Sequence, residues 1–446
     1  MSPRTFYDPH AYDTARPVPS YWAATVGRSA TLPPLEGDID VDVAVIGGGY
    51  TGLAAAEQAV ALGFTTAVLE AGSPGWGASS RNGGFICLGA NALGYGAMVR
   101  RYGEAATKQF YRHQIDAVSA LTAKIVAARI DCDFVPGGVI EVAHRPNRVA
   151  SLRMEAEQAR TALDLPVHFL TGGALAEAGF DSPQAHAGAH ITIGGGINPA
   201  KMFEGLLRQA LANGVAYKPR SPVLNWDRQG RRHRLITPDG QVTAERVVVA
   251  TNGYAPEGLH PSQKRTVLPV LSSIIVTEPL PDAAFEAQGW RTYTPISDSR
   301  VLLHYFRRLP DGRVLLGTRG DLSGGPQAQA RMTQHLKGRF DRLFPDLAFA
   351  TVDYSWSGLV ALSASLTPRI GRWPEDPTVA VAHAFHGNGF AMSHWAGAQA
   401  VNLLISPDTQ CVSPVVQDLA RSFPWPDVRK PALAASYLLF GLRDAL

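Results

Sequence analysis

Gly47-Gly48-Gly49-Tyr50-Thr51-Gly52 satisfies G-x-G-x-x-G, and Glu70 stands 18 residues beyond Gly52. Glycines at this spacing suit the binding of a dinucleotide. Gly47 permits a tight turn, Gly49 lets a pyrophosphate approach bare backbone, and Gly52 lets the following helix pack closely on a sheet. The helix N-terminus adds unpaired N–H groups and partial positive charge. A carboxylate at the distance of Glu70 is placed to accept hydrogen bonds from a ribose diol. The elements that must position these groups are legible on both sides. VDVAVI (41–46) reads as a strand buried on both faces, LAAAEQAVALG as a small-residue helix ending at Gly63, and TTAVLE as a second strand ending at Glu70.

The fingerprint alone does not choose between NAD and FAD; the next segment does. GSPGWGASSRNGG (72–84) carries five glycines, two adjacent serines, an arginine and an asparagine. A nicotinamide domain normally enters another helix there, whereas a donor-rich loop suits wrapping a large, permanently bound cofactor. Arg81 and the Ser79 and Ser80 hydroxyls are placed to reach phosphate or ring oxygens. A flexible surface loop is the plainer alternative.

Further along, apolar spacing at Met98, Phe110, Ile115, Val118 and Leu121 predicts a long helix over about 93–130. GGVIEVAH (137–144) predicts a strand and RVASLRMEAEQARTAL a helix. Asn198-Pro199 predicts a capped helix start, ended by Gly214. Strands are predicted near 215–226, 233–238 and 245–250, the last dropping into Thr251-Asn252-Gly253. VLPVLSSIIVTEPL, RVLLHYFRR and GRVLLGTRG then alternate as an antiparallel sheet with one covered face. A helix over 327–343 and a strand over 353–360 lead to a second strand–glycine turn–helix unit. Its strand is TVAVAHAF (378–385), its turn His386-Gly387-Asn388-Gly389-Phe390 and its helix AMSHWAGAQAVNLL. The expected fold is therefore mixed α/β (α+β), a discontinuous Rossmann-like FAD-binding domain with an inserted antiparallel-sheet substrate domain. The expected division is an N-terminal extension over 1–36, an FAD domain over 37–92, 197–262 and 355–446, and a substrate domain over 93–196 and 263–354.

Composition narrows the function classes. The chain has 446 residues, 46% hydrophobic and 18% charged, which is globular rather than disordered. A net charge of +3 gives no case for nucleic acid. Cys87, Cys132 and Cys411 are too few and too scattered for a disulfide framework or a zinc knuckle. His383, His386 and His394 do not match a metal-ligand spacing, so no metal is expected. No apolar run approaches a membrane span, and the N-terminus lacks a signal pattern. A cytoplasmic enzyme, monomeric or homodimeric, is expected.

The residues resemble the FAD-dependent amine and amino acid oxidases of the D-amino-acid-oxidase/glycine-oxidase type, and within them the gamma-glutamylputrescine oxidoreductases. The stretches that carry the likeness are SYWAAT (20–25), DVAVIGGGYTGLAAA (42–56), GASSRNGG (77–84), GGINPAKM (195–202), VLPVLSSIIVTEPL (267–280), HYFRRLPDGRVLLG (304–317) and LVALSASLTPRIGR (359–372). The resemblance implies FAD contacts at Gly47, Gly49, Tyr50, Thr51, Gly52, Glu70, Ala71, Ser79, Ser80, Arg81, Asn82, Gly83, Gly84, Val223, Thr251 and Gly253. In the C-terminal turn it implies Gly387, Asn388, Gly389 and Phe390. Many relatives carry histidine where this chain has Asn388. No histidine lies in 72–84 and no cysteine in 350–390, so the FAD is expected to be non-covalent.

In that family a hydride equivalent passes from the carbon beside a neutral amine to FAD. The imine hydrolyses, and oxygen takes the electrons to give hydrogen peroxide. The implied partners are therefore a small amine and O2. Because the flavin carries the hard chemistry, no triad or carboxylate pair is required, and none is visible. His304, Tyr305, Trp356 and Asn388 are the candidate pocket residues. Strand alternation allows at most one of His304 and Tyr305 to face the flavin. Trp356 is placed either to cap the amine by a cation–π contact or to pack as a core aromatic. No lysine is placed beside the flavin to promote oxygen activation. That leaves open a dehydrogenase of the same fold that uses a quinone or protein acceptor. A flavoprotein subunit without turnover of its own is the remaining alternative.

Overall fold

A computed structural model describes residues 5–27, 31–254, 257–406, 412–424 and 426–445. Cys411 lies outside the described residues. Two eight-stranded sheets carry the fold, with a three-stranded sheet between them in sequence. In the first sheet the β-branched run Gly37–Ile46 is central. It pairs in parallel with Thr66–Leu69 on one side and Gly240–Val249 on the other. Ala216–Lys218 extends one edge in parallel, and Asp376–His383 pairs in parallel with the last residues of Gly240–Val249. Both strand–glycine turn–helix units thus feed one parallel layer, and helices Tyr50–Ala61 and Phe390–Ile405 cover the same face. They cross so closely that a Cβ on Gly397 would lie 2.0 Å from the Thr51 carbonyl oxygen.

The second sheet runs in the order Val352–Leu362, Leu268–Thr277, Val314–Arg319, Tyr305–Arg308, Ile296–Asp298, Val139–Val142, Ala187–Ile191, Val167–Thr171. It is antiparallel throughout except between Ile296–Asp298 and Val139–Val142, which run parallel. One face packs an aromatic core of Phe180, Trp290, Phe306, Phe340 and Phe344 under helix Pro326–Leu343. The other face looks toward the first sheet. Val352–Leu362 belongs wholly to this second sheet, so a boundary at 354/355 falls inside a strand.

Several local expectations change. The helix expected over 93–130 is two, Tyr95–Tyr102 and Glu104–Ala127, because Gly103 takes φ +84° between them. The strand expected over 215–226 is cut after Lys218, since Pro219 and Pro222 cannot donate to a ladder. Only Tyr305–Arg308 of RVLLHYFRR is strand. The Asp298 carboxylate accepts from the Arg300 and His304 amides and folds the preceding residues into a turn. The helix Pro199–Ala212 forms as read, with Asn198 Oδ1 accepting from the Ala200 and Lys201 amides. A further helix, Pro426–Ala445, has no counterpart among the sequence expectations. Among the described residues no helix is long and apolar enough to cross a membrane.

Candidate active site

The first glycine turn is shaped by close backbone contacts. A Cβ on Gly47 would lie 2.8 Å from the Ala250 carbonyl oxygen, and one on Gly49 2.7 Å from Ser79 Oγ. Ser79 Oγ accepts from the Tyr50 amide (3.0 Å), so it caps the helix whose N-terminus faces the cavity. Glu70 accepts from the Gly48 and Gly72 amides (2.7 and 2.8 Å), one per carboxylate oxygen. Burial raises its carboxyl above the usual range, while those amides, the Ala71 amide and Arg81 pull it back down. The carboxylate still keeps a lone pair for a further donor.

Loop 77–84 is held rigid rather than loose. Asn82 donates to the Ala78 and Ser79 carbonyls (3.1 and 2.9 Å) and accepts from the Gly84 amide (2.9 Å). Two indoles grip the same backbone: Trp22 Nε1 donates to Asn82 O and Trp356 Nε1 to Arg81 O, both 2.8 Å. From below, the Arg307 guanidinium donates to Gly84 O (2.7 Å) and Ile197 O (2.8 Å). Arg81 lies 4.1 Å over the Trp76 ring and donates from Nε to Trp76 O, yet its buried Nη2 has no hydrogen-bond partner. Burial lowers the Arg81 pKa, and Tyr254 and Glu70 oppose that shift. A buried cationic donor beside a cavity is satisfied by an anionic or carbonyl oxygen of a ligand.

These groups open on one cavity of about 1370 Å³. Gly47, Gly49, Tyr50, Thr51, Glu70, Ala71, Ser79, Arg81, Asn82, Gly83, Val223, Thr251, Gly253, Gly387, Asn388, Gly389 and Phe390 line it. Gly52, Ser80 and Gly84 stand behind that lining. The second sheet roofs the cavity with Ser272, Ile274, Tyr305, Gly358, Val360 and Ala361. Tyr305 donates to or accepts from Ser272 Oγ at 2.8 Å, and burial pushes its hydroxyl up to about 12.

Two sequence candidates do not reach this space. Trp356 is 2% exposed and packs with Trp22, Ile274 and Leu315; its indole clamps the Arg81 carbonyl instead of capping a substrate. His304 turns to the far side, where Nδ1 meets Asp298 Oδ2 at 2.8 Å. Burial would raise the Asp298 carboxyl, but His304 and Arg300 take it below its usual value. Sequence reading also missed Arg319, a cavity residue whose Nη2 donates to His386 O (2.9 Å) at the second glycine turn. Gly387 takes φ +103°, a region that L side chains rarely adopt, which explains the glycine; a Cβ there would also come within 2.5 Å of that nitrogen. The available signal was an arginine ending a strand immediately before Gly320.

The residues present fit FAD. The cradle has no room for side chains at Gly47 and Gly49, and the Glu70 carboxylate keeps room for a further donor where the fingerprint expects a ribose. An unpartnered Arg81 donor lies beside the cavity, which holds more than a single small ligand requires. The model of the DAO family, described as FAD dependent oxidoreductase, matches residues 42–403. The chain belongs to this family. It is 28% identical over 387 residues to gamma-glutamylputrescine oxidoreductase of Escherichia coli, covering 86% of this chain and 88% of that protein. It is 26% identical to glycine oxidase of Geobacillus kaustophilus, covering 82% and 94%. The crystal structure of glycine oxidase from Geobacillus kaustophilus superposes with a TM-score of 0.72 at 21% identity, covering 86% of this chain and all of that one. That structural likeness speaks for the fold. As a DAO family member the protein is an FAD-dependent oxidoreductase, with FAD as its cofactor.

Proposed function

We propose that the protein is an oxidase of a small secondary or N-substituted primary amine, with gamma-glutamylputrescine or a similar polyamine conjugate as the favoured substrate. The observation that carries this reading is the single cavity shared by the dinucleotide cradle and the sheet-roofed lobe beside Tyr305. Similarity to gamma-glutamylputrescine oxidoreductase supports the substrate class. Bound FAD supplies the electron acceptor. Tyr305, Ile274 and Val360 give a largely apolar roof that excludes water and disfavours the protonated amine. Overall, the amine, O2 and water give an aldehyde, the released amine and hydrogen peroxide. In this reading Asn388, which donates to Gly89 O (3.1 Å), fixes the second turn at the cavity wall. The two sheets divide cofactor and substrate binding, and the enzyme is cytoplasmic.

Addition of gamma-glutamylputrescine to the anaerobic holoenzyme is expected to bleach the oxidised flavin band within seconds. Admission of air should restore the band with stoichiometric peroxide. A band that stays oxidised discards this substrate, while reduction without reoxidation by air points to another acceptor.

The flavin is held without a covalent bond in the same proposal. Cys87 lines the cavity, but burial pushes its thiol up to about 12, which keeps it protonated and a poor nucleophile. Acid precipitation should leave a white pellet and a yellow supernatant; a yellow pellet would overturn non-covalent attachment.

A further inference from the structure

A row of six residues runs across six of the eight strands of the second sheet at a single register. Ala189 pairs with Glu141, Glu141 with Ser297, Ser297 with Tyr305, Tyr305 with Gly317, and Gly317 with Ile274. Directly opposed residues share a face, and every member with a side chain lines the cavity. Gly317 has none because the Tyr305 ring lies across it, where a Cβ would be 2.2 Å from Cζ. Glu141 is the sole charge in this row. It sits in a lobe walled by Val139, Leu152, Ala156, Leu163 and Val167.

Among the described residues no hydrogen bond or ion pair to the Glu141 carboxylate is found. Burial, with Glu155 and Asp298, raises its carboxyl to about 7; Arg148 opposes the shift without pairing. Glu141 is half-buried and lines the cavity; once a ligand displaces the water there, an unpartnered carboxylate between apolar walls is costly unless that ligand brings a cation. Glu155 and Arg100 also line the cavity, but both are exposed and screened. Tyr305 and Glu141 are two strand spacings apart, roughly 10 Å. A polyamine chain spans that separation, a short diamine spans most of it with the Glu141 side chain reaching the rest, and a simple amino acid does not.

We propose that Glu141 is a specificity-determining residue that pairs with a second ammonium at the far end of the substrate, so that the substrate is a chain with two cationic nitrogens. This rests on the amine-oxidation reading and narrows it.

The test uses the FAD-loaded enzyme with putrescine, gamma-glutamylputrescine and, as the monoamine of matched length, butylamine. The native enzyme should favour putrescine over butylamine, with gamma-glutamylputrescine, whose far ammonium stands beside its own carboxylate, gaining less. Glu141→Gln should raise KM for putrescine by roughly ten-fold or more, with kcat little changed and butylamine little affected. Glu141→Met, which suits the apolar walls, should do the same if the glutamine variant folds poorly. An unchanged preference in variants with native flavin content overturns the proposal. If no amine reduces the native flavin, the oxidation reading fails separately. Thermal melting of the holoenzyme then decides the pocket: stabilisation by putrescine over butylamine, lost in Glu141→Gln, supports the cation site, and its absence overturns it.

Discussion

Gly52→Ala is expected to give colourless protein. The added Cβ would sit 1.9 Å from the Gly47 carbonyl oxygen and 3.0 Å from its carbon. Neither is the movable end of a side chain, so the first helix must shift away from the turn. That displaces the Tyr50 amide from Ser79 and turns the helix N-terminus away from the pyrophosphate position. Overpacking of this kind costs about 3 kcal/mol, which would weaken FAD binding by roughly two orders of magnitude. The flavin-to-protein absorbance ratio after gel filtration and the melting temperature report the effect. Gly94→Ala is the control, since nothing lies within 4 Å of its would-be Cβ and its φ is −67°. A Gly52→Ala protein that purifies yellow and melts as the native one does would falsify this account of the turn.

Arg307→Met should produce the second large effect. Arg307 is 1% exposed, and no acidic side chain among the described residues forms an ion pair with it. Burial lowers its pKa to about 10, so it remains cationic at neutral pH. Its value lies in the two carbonyls that one nitrogen satisfies, at Gly84 and Ile197, where a Cβ on Gly84 would lie 2.1 Å from Ile197 O. Methionine fills much of the volume but leaves the Ile197 carbonyl buried without that donor, at about 1–3 kcal/mol, whereas Gly84 O still accepts from the Ile197 amide and loses only one bond. Relief of the buried charge offsets part of that, leaving a net loss of about 1–3 kcal/mol. A lower melting temperature and faster flavin loss on dilution are the expected readouts. Native melting with full flavin retention would mean that the relieved charge outweighs the two lost bonds.

The cofactor half of the molecule is legible because its signals are local. Gly47 to Glu70 carries strand, turn, helix and acid in one continuous stretch, and Asn198-Pro199 announces its helix without tertiary help. The second sheet depends on register between distant strands. Nothing in GGVIEVAH says that Glu141 will stand beside Ser297, or that Ser297 will stand beside Tyr305. A lone acid in an otherwise apolar strand was the hint available. Trp356 shows the same limit. Alternation places it on the cavity-facing side of its strand, but whether an indole on that side meets substrate or loop backbone depends on the loop, which the strand sequence does not contain. Arg319 was hidden for a related reason, because its partner is a carbonyl in a turn 67 residues away.

The clamps on loop 77–84 have a temporal consequence. Their donors, Trp22, Arg307 and Trp356, lie 60, 223 and 275 residues from the carbonyls they hold. A chain emerging from the ribosome displays its glycine fingerprint early, yet the last of these donors arrives only after four-fifths of the sequence has been made. Until then the nascent cradle is an unfinished socket, and such long-range closures are slow, late events in folding. Flavin capture is therefore expected at the end of synthesis, once the two sheets have docked.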